Sequence, residues 1–154
     1  MPILEILVGM IGSGKSKYAR KRADDGALVV NDDAIYLMLH GGNYQLYERY
    51  LKRLYKSIET SILTGLLTTG RDVLVDRPNL QRGTRARYIA LAKAFEYRPR
   101  IVQLPVDSPE THAERRCNSD ARGYEYADWL KVARRDYQAY EAPDEAEGAE
   151  IVQA

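Results

Sequence analysis

The amino-acid sequence predicts an α/β fold in which a parallel sheet carries helices on both faces. Short apolar runs alternate with longer segments of helical composition along the 154 residues, a pattern typical of parallel strands joined by crossover helices. The motif G-x-x-x-x-G-K-[ST] occupies residues 9–16, directly after the first apolar run. A strand, a glycine-rich loop and a helix in this order predict a P-loop nucleoside-triphosphate-binding fold of kinase type.

The motif assigns phosphate binding to the loop and to the first residues of the next helix. Glycine lacks a Cβ atom, so the loop backbone can come close to an anion, and its N–H groups and the helix N-terminus offer partial positive charge. We expect Lys15 to reach the β- and γ-phosphates of ATP and Ser16 to hold Mg²⁺. The residues expected to bind ATP are Gly9, Gly12, Ser13, Gly14, Lys15 and Ser16.

Length and composition place the chain among cytoplasmic globular proteins. We expect one domain over residues 1–142 and an acidic, weakly ordered tail over residues 143–154. No apolar run approaches the length of a membrane span, and the first strand begins too early to leave room for a signal peptide. Cys117 is the only cysteine, which excludes an intrachain disulfide or a cysteine zinc site and fits a reducing compartment.

The formal net charge of +1 conceals an uneven distribution. Residues 141–154 contain five acidic residues and no basic one, whereas residues 77–100, called here the basic stretch, contain seven basic residues and one acidic residue. The basic stretch is compatible with a polyanionic substrate. It is equally compatible with a solvated helix face and its loops.

Carboxylates follow two of the predicted strands. Asp32 and Asp33 come after the strand at 27–30, and Asp76 ends the strand at 73–76. In an open α/β sheet the ligand binds beyond the carboxyl ends of the strands. One of the two adjacent aspartates can cap the following helix at 34–39, which leaves the other for chemistry.

The remaining elements follow from hydrophobic periodicity and from turn residues. Apolar residues spaced three or four apart predict one helix from about 44 to 69. The tyrosines at its start are expected to pack in the core, with base stacking as the alternative. The other predicted elements are a helix at 84–95, a strand at 101–104 or as far as 106, a helix from 109 to about 119, a polar loop at 120–123 and a helix at 126–140.

The order of these motifs resembles that of phage-type polynucleotide 5′-kinases. The motifs that carry the resemblance are, in order, the P-loop, Asn31-Asp32-Asp33, the run from Asp76 to Leu80, residues 106–109 and a lid that carries arginine. The resemblance covers about residues 3–140 and implies transfer of the ATP γ-phosphate to the 5′-hydroxyl of DNA or RNA, with DNA the more expected partner. A phage-encoded protein of this kind would act in the host cytoplasm.

The resemblance also assigns roles to individual residues. Asp32 resembles the general base of the family, and Arg122 resembles the lid arginine that contacts the transferring phosphate. Together with Lys15 they form the expected catalytic set. Arg116, or its neighbour Arg115, resembles a second arginine on the nucleotide side. The residues expected on the acceptor side are Asp33, Ile35, Asp76, Arg77 and Asn79.

Two departures from the family pattern leave alternatives for the acceptor. The family places an arginine that clamps the acceptor phosphate where this chain has Ile35, and the spacing from Arg116 to Arg122 is longer here. An apolar residue beside the base suits a nucleobase, so 5-hydroxymethyluracil in phage DNA is one alternative acceptor. A nucleoside, sugar or antibiotic is another, and an ATP-binding switch or toxin-like P-loop protein is a third.

Overall fold

Five parallel strands form one sheet in the order β2-β3-β1-β4-β5. The computed structural model describes residues 1–119 and 122–154, so part of the polar loop predicted at 120–123 lies outside the described residues. The strands are β1 (Ile3–Val8), β2 (Leu28–Asn31), β3 (Val73–Asp76), β4 (Arg98–Gln103) and β5 (Glu150–Gln153). The predicted α/β fold with a parallel sheet is confirmed.

Helices connect the strands and cover both faces of the sheet. They are α1 (Lys15–Asp24), α2 (Asp32–Leu39), α3 (Lys52–Leu67), α4 (Arg82–Ala94), α5 (Pro109–Ser119) and α6 (Tyr126–Ala139). Alternate residues of β1 enter different cores: Leu4 and Ile6 pack with α2, α3 and α4, whereas Leu7 packs with Ala19 of α1. This alternation is the pattern of a strand buried on both sides.

The single helix predicted from about 44 to 69 is replaced by three shorter elements. Two 3-10 turns, Tyr44–Leu46 and Arg49–Leu51, precede α3, which begins at Lys52. The Asn43 side chain accepts a hydrogen bond from the Gln45 N–H and starts the first turn. The periodicity prediction was wrong for residues 44–51. The tyrosines in this segment pack against each other and against Tyr36, and they do not form one face of a continuous helix.

The acidic C-terminal segment is ordered, contrary to the expectation for residues 143–154. It forms a 3-10 turn at Glu145–Glu147 and then β5, which pairs with β4. Its acidic residues contact the basic stretch, with Glu147 bonded to Arg85, Asp144 to Arg82, and Glu150 to Arg100. These three acidic residues each have a partner of opposite sign, and the sheet continues past the domain boundary expected at 142.

The described helices also bear on membrane association. Among residues 1–119 and 122–154, no helix combines the length and the apolar character that crossing a bilayer requires.

Candidate active site

The loop between β1 and α1 forms a concave backbone surface, called here the cradle, whose shape requires glycine. A Cβ atom on Gly9 would lie 2.5 Å from the Ser13 Oγ, and one on Gly12 would lie 2.6 Å from the His112 carbonyl oxygen. Gly12 and Gly14 have φ angles of 61° and 97°, in the left-handed region that glycine reaches without strain. The Ser13 Oγ is buried and has no hydrogen-bond partner within the described residues. A phosphate group fits this cradle of N–H groups and an unsatisfied hydroxyl.

Lys15 already points into the cradle. Its Nζ donates hydrogen bonds to the carbonyl oxygens of Gly9, at 2.9 Å, and Met10, at 2.6 Å. Burial lowers the pKa of Lys15 to about 8, and the charges of Asp76 and Asp136 only partly oppose that effect. The ammonium group is therefore held where it would meet a phosphate.

Ser16 and Asp76 offer oxygen donors of the kind that Mg²⁺ prefers. Ser16 is exposed in the first turn of α1, and the buried Asp76 at the end of β3 acts electrostatically on Lys15. Mg²⁺ prefers such oxygen ligands and binds through few protein groups together with substrate phosphates. The described residues contain no group of three or more His, Cys, Asp or Glu that could hold a metal alone, so these two residues would bind Mg²⁺ only with a nucleotide.

The two adjacent aspartates begin α2, but neither of them caps it. Asn31 is the cap, because its side-chain oxygen accepts a hydrogen bond from the Ala34 N–H at 2.8 Å. The prediction that Asp32 or Asp33 caps this helix was wrong. Asn31 also donates to the Asp76 carboxylate at 2.9 Å, which ties the ends of β2 and β3 together and leaves both aspartates available for other contacts.

Asp32 is held by Arg77. The Nε of Arg77 lies 3.0 Å from the Asp32 Oδ2, while its Nη1 donates to Glu59 at 2.6 Å and to the Tyr88 hydroxyl at 3.1 Å. Burial raises the pKa of Asp32 above its ordinary value, and the positive charge of Arg77 opposes that rise. A half-buried carboxylate with a raised pKa and a fixed orientation can act as a general base.

Glu59 is a site residue that the sequence analysis did not identify. It is 2 % exposed, and its carboxylate bonds to Arg77 and to Tyr88. The sequence pattern could have indicated this residue, because Glu59 lies between Tyr55 and Leu63 on the buried face of α3. A lone carboxylate on the apolar face of a helix needs a partner, and Arg77 supplies it.

Arg122 lies on the acceptor side of the site. Its Nη2 is 3.0 Å from the Asp33 Oδ2, and its guanidinium lies 4.4 Å from the centre of the Tyr44 ring. The structure thus brings the expected lid arginine beside the pair of aspartates. Arg116 lies over the Trp129 ring at 5.0 Å and acts electrostatically on Lys15, on the nucleotide side.

Two residues predicted to line the acceptor surface lie elsewhere. Ile35 is 4 % exposed and packs in the core with Leu63, so its assignment to the acceptor surface was wrong. Asn79 is also buried, and its side-chain amide donates to the carbonyl oxygens of Leu7, at 2.8 Å, and Arg77. Asn79 therefore shapes the backbone of the loop after β3, whereas Ile35 turns inward onto the sheet.

A pocket of about 290 Å³ opens beside Asp32 and Arg77. Lys52 and Lys56 of α3 and Arg87 of α4 contribute three further cations to its lining. Within the described residues none of these three is paired with a carboxylate. Lys52 and Lys56 lie one turn apart on α3, where like charges repel each other, so an anion in the pocket would relieve that repulsion.

Tyrosine rings form the wall between the pocket and Arg122. Tyr36 packs against Tyr55 with ring centres 4.7 Å apart and against Tyr47 at 5.0 Å, and Tyr44 stacks on Tyr47 at 6.3 Å. The tyrosines predicted to pack in the core, Tyr44 and Tyr47, are half-buried, as is Tyr36, whereas Tyr55 is 3 % exposed and belongs to the core. Burial raises the pKa of Tyr44 to about 12, so the ring beside Arg122 remains neutral at physiological pH.

A phosphate cradle after the first strand of a parallel sheet, facing carboxylates at the ends of the next two strands, defines a P-loop kinase-like protein. The comparison with protein families agrees. The chain belongs to the AAA_33 family, described as an AAA domain, whose model matches residues 4–141.

Solved structures with the same fold carry different names. A candidate kinase from Chloroflexus aurantiacus J-10-fl is 18 % identical, with a TM-score of 0.72, over 99 % of this chain and 84 % of that one. A chain of a Pnkp1/Rnl/Hen1 complex is 25 % identical, with a TM-score of 0.63, over 74 % of this chain and 38 % of that one. A gluconokinase from Sinorhizobium meliloti 1021 is 18 % identical, with a TM-score of 0.62, over 99 % of this chain and 82 % of that one.

Human NEDD4-binding protein 2 is a curated relative. It is 28 % identical over 99 residues, which make up 62 % of this chain. The match spans 5 % of the relative's own length. These similarities establish the fold, and the acceptor has to be argued from the site itself.

Proposed function

We propose that this protein is an ATP-dependent kinase that transfers the γ-phosphate to a hydroxyl group of nucleic acid, the 5′-hydroxyl at the end of a polynucleotide, with DNA preferred to RNA. The observation that carries this proposal is the cationic pocket beside Asp32. The likeness to a chain of the Pnkp1/Rnl/Hen1 complex, at 25 % identity, supports it.

On the nucleotide side, the cradle would hold the phosphates of ATP. Bound Mg²⁺ would neutralise part of the charge on those phosphates. Lys15 would exchange its hydrogen bonds to Gly9 and Met10 for bonds to phosphate oxygens. Arg116, from the nucleotide side, and Arg122, from the acceptor side, would stabilise the charge that spreads over the transferring group. These residues position charge rather than form bonds, as phosphoryl transfer requires.

On the acceptor side, Asp32 would take the proton from the attacking hydroxyl. Arg77 orients the Asp32 carboxylate, and its positive charge opposes the rise in the pKa of Asp32 that burial causes. Four cations and two carboxylates line the pocket, so a net charge of +2 remains for the acceptor. That excess of positive charge favours an acceptor that is itself anionic.

The size of the pocket favours a chain end. At about 290 Å³ it lies at the small end of ligand sites and would admit one nucleotide unit rather than a duplex. Half-buried Tyr36 and Tyr44 rings beside it could stack on a base. The case for 5-hydroxymethyluracil relied on an apolar surface at Ile35, and the burial of Ile35 in the core removes that argument.

Transfer of labelled phosphate from ATP to a panel of acceptors tests the proposal. The panel contains DNA and RNA oligonucleotides with 5′-hydroxyl ends, DNA with internal 5-hydroxymethyluracil, free nucleosides and gluconate. We expect labelling of the 5′-ends, with a KM that rises with salt because phosphate contacts are screened. Labelling confined to nucleosides or gluconate would instead make this a small-molecule kinase.

Variants of the pocket sharpen this test. Lys56→Ala and Arg87→Ala should raise the KM for the oligonucleotide and weaken its salt dependence, because each removes a cation from the pocket. Arg53→Ala is the matched control, since Arg53 is an exposed cation on the same helix that does not line the pocket. Equal effects of all three variants would contradict a specific role for the pocket.

A further inference from the structure

Glu147, in the C-terminal segment, forms a fully buried ion pair with Arg85. The side chains are 2 % and 0 % exposed. The Arg85 Nε and Nη2 donate to the two Glu147 carboxylate oxygens at 2.8 and 2.6 Å, in a two-pronged arrangement. Such paired hydrogen bonds fix the plane of the guanidinium as well as its position.

Arg85 uses its remaining nitrogen on the loop after β3. Its Nη1 donates to the carbonyl oxygens of Asn79, at 3.1 Å, and Leu80, at 2.9 Å. A buried cation that lost Glu147 would be stabilised only by these carbonyl dipoles, and it would turn towards water. The Asn79 carbonyl would then lose this donor, and the Leu80 carbonyl would keep only the Glu141 N–H.

The same loop, residues 77–80, carries groups of the proposed active site. Arg77 holds the Asp32 carboxylate, and the Pro78 carbonyl accepts a hydrogen bond from the Gly9 N–H at the start of the P-loop, at 3.1 Å. Asn79 has a φ of 45°, a conformation that a non-glycine residue keeps only where its surroundings hold it.

The C-terminal segment is itself firmly attached. Asp144 pairs with Arg82, the Glu141 N–H donates to the Leu80 carbonyl oxygen at 2.9 Å, and β5 continues the sheet. The family model ends at residue 141, before Glu147, so the motifs of the family do not include this contact.

We propose that Glu147 is a positioning residue for phosphoryl transfer, acting through Arg85 to hold the 77–80 loop and hence the Arg77–Asp32 pair. This inference rests on the proposed function. It assigns to the C-terminal segment a part in the geometry of the site as well as in the stability of the sheet.

Glu147→Gln, compared with Glu145→Gln, tests the proposal. Glu145 lies in the same 3-10 turn but is exposed, which makes it the matched control. At a temperature where both variants are folded, we expect kcat of Glu147→Gln to fall about ten- to hundredfold, the scale of a small misplacement of reacting groups. The Kd for ATP should stay within about twofold of wild type, because the cradle keeps its own contacts.

Hydrogen exchange provides a readout that does not depend on activity. Peptides covering residues 77–80 should exchange faster in Glu147→Gln, while those covering α1 should not change. A folded Glu147→Gln protein with wild-type kcat and wild-type exchange in this loop would overturn the proposal. If the wild-type protein phosphorylates no nucleic acid, the proposed function fails, and the exchange of the loop still decides whether Glu147 holds it.

A second variant covers the case in which Glu147→Gln does not fold. Glu147→Asp keeps the negative charge but withdraws the carboxylate by one methylene, so it should fold with a loosened loop. We expect an intermediate fall in kcat and intermediate exchange of residues 77–80. No change in either would overturn the proposal.

Discussion

The Nε of Arg77 lies 3.0 Å from the Asp32 Oδ2, and the same guanidinium is bonded to buried Glu59. One cation thus links the proposed general base to the core of the protein. The positive charge of Arg77 opposes the rise in the pKa of Asp32 that burial causes, and the contact fixes the direction in which the carboxylate points. This relationship leads to the first prediction.

Asp32→Asn should lower kcat by about 10²–10⁴-fold, the contribution typical of a positioned base. The Kd for ATP should not change, since the amide is isosteric and lies on the acceptor side. Asp33→Asn should be milder, because Asp33 holds Arg122 rather than a hydroxyl group. Steady-state kinetics and ATP titrations measure both variants. An inactive Asp33→Asn protein beside an active Asp32→Asn protein would show that the base is assigned to the wrong residue.

Lys15→Ala should reduce turnover by at least about a hundredfold, because the transferring phosphate loses its cation in the loop. Lys17→Ala is the matched control, since Lys17 is exposed on α1. Labelled-ATP transfer by both variants, with their folding checked by circular dichroism, measures the effect. Near-normal turnover in folded Lys15→Ala would refute the assignment of the phosphate cradle.

The pH dependence of kcat/KM for ATP should show an alkaline limb near the pKa of Lys15. Burial lowers that pKa to about 8, so the ammonium loses its proton above this pH, and kcat/KM should fall by about tenfold per pH unit. Lys15→Arg would keep its charge throughout, and its remaining activity should lack this limb. The same limb in Lys15→Arg would mean that another group titrates.

Ile35→Arg should destabilise the protein rather than change its acceptor. Ile35 is 4 % exposed among core residues, and an unpaired charge there costs on the order of 3–5 kcal/mol. For a chain of this length that corresponds to a fall in Tm of roughly 6–20 °C. Met38→Arg on the same helix, at a side chain 63 % exposed, should be tolerated. A changed acceptor preference with an unchanged Tm would place Ile35 back on the acceptor surface.

Removing one partner of the buried Arg85–Glu147 pair should destabilise the protein more than removing both partners. Glu147→Met leaves Arg85 unpaired and should cost about 3–5 kcal/mol, whereas the double variant Arg85→Met/Glu147→Met should recover much of that loss. Chemical denaturation of wild type, the single variant and the double variant measures the difference. Equal destabilisation of the single and double variants would mean that lost packing, not unpaired charge, dominates.

Acid should weaken the same pair. Burial by itself would raise the pKa of Glu147, but the hydrogen bonds and charge of Arg85 outweigh it and hold the pKa below its ordinary value of 4.5. The contribution of the pair is therefore complete above that value and is lost as the pH falls through the lower pKa of the folded state. Glu147→Gln should remove this part of the acid dependence of stability.

The sequence by itself determined the features that depend on neighbouring residues. The cradle consists of consecutive residues, so its glycines, Lys15 and Ser16 could be assigned from spacing alone. Pro109 likewise marks the start of α5.

Only the tertiary structure decided which distant residues became partners. Arg77 and Glu59 are separated by 18 residues, and Arg85 and Glu147 by 62. These pairings depend on the rotation of α3 and on the path of the C-terminal segment, and no local pattern encodes either. Ile35 lies one turn from Asp32, yet spacing could not tell whether the core or the pocket covered its face. Burial is set by the elements that pack against a helix, so it became known only when the whole chain was folded.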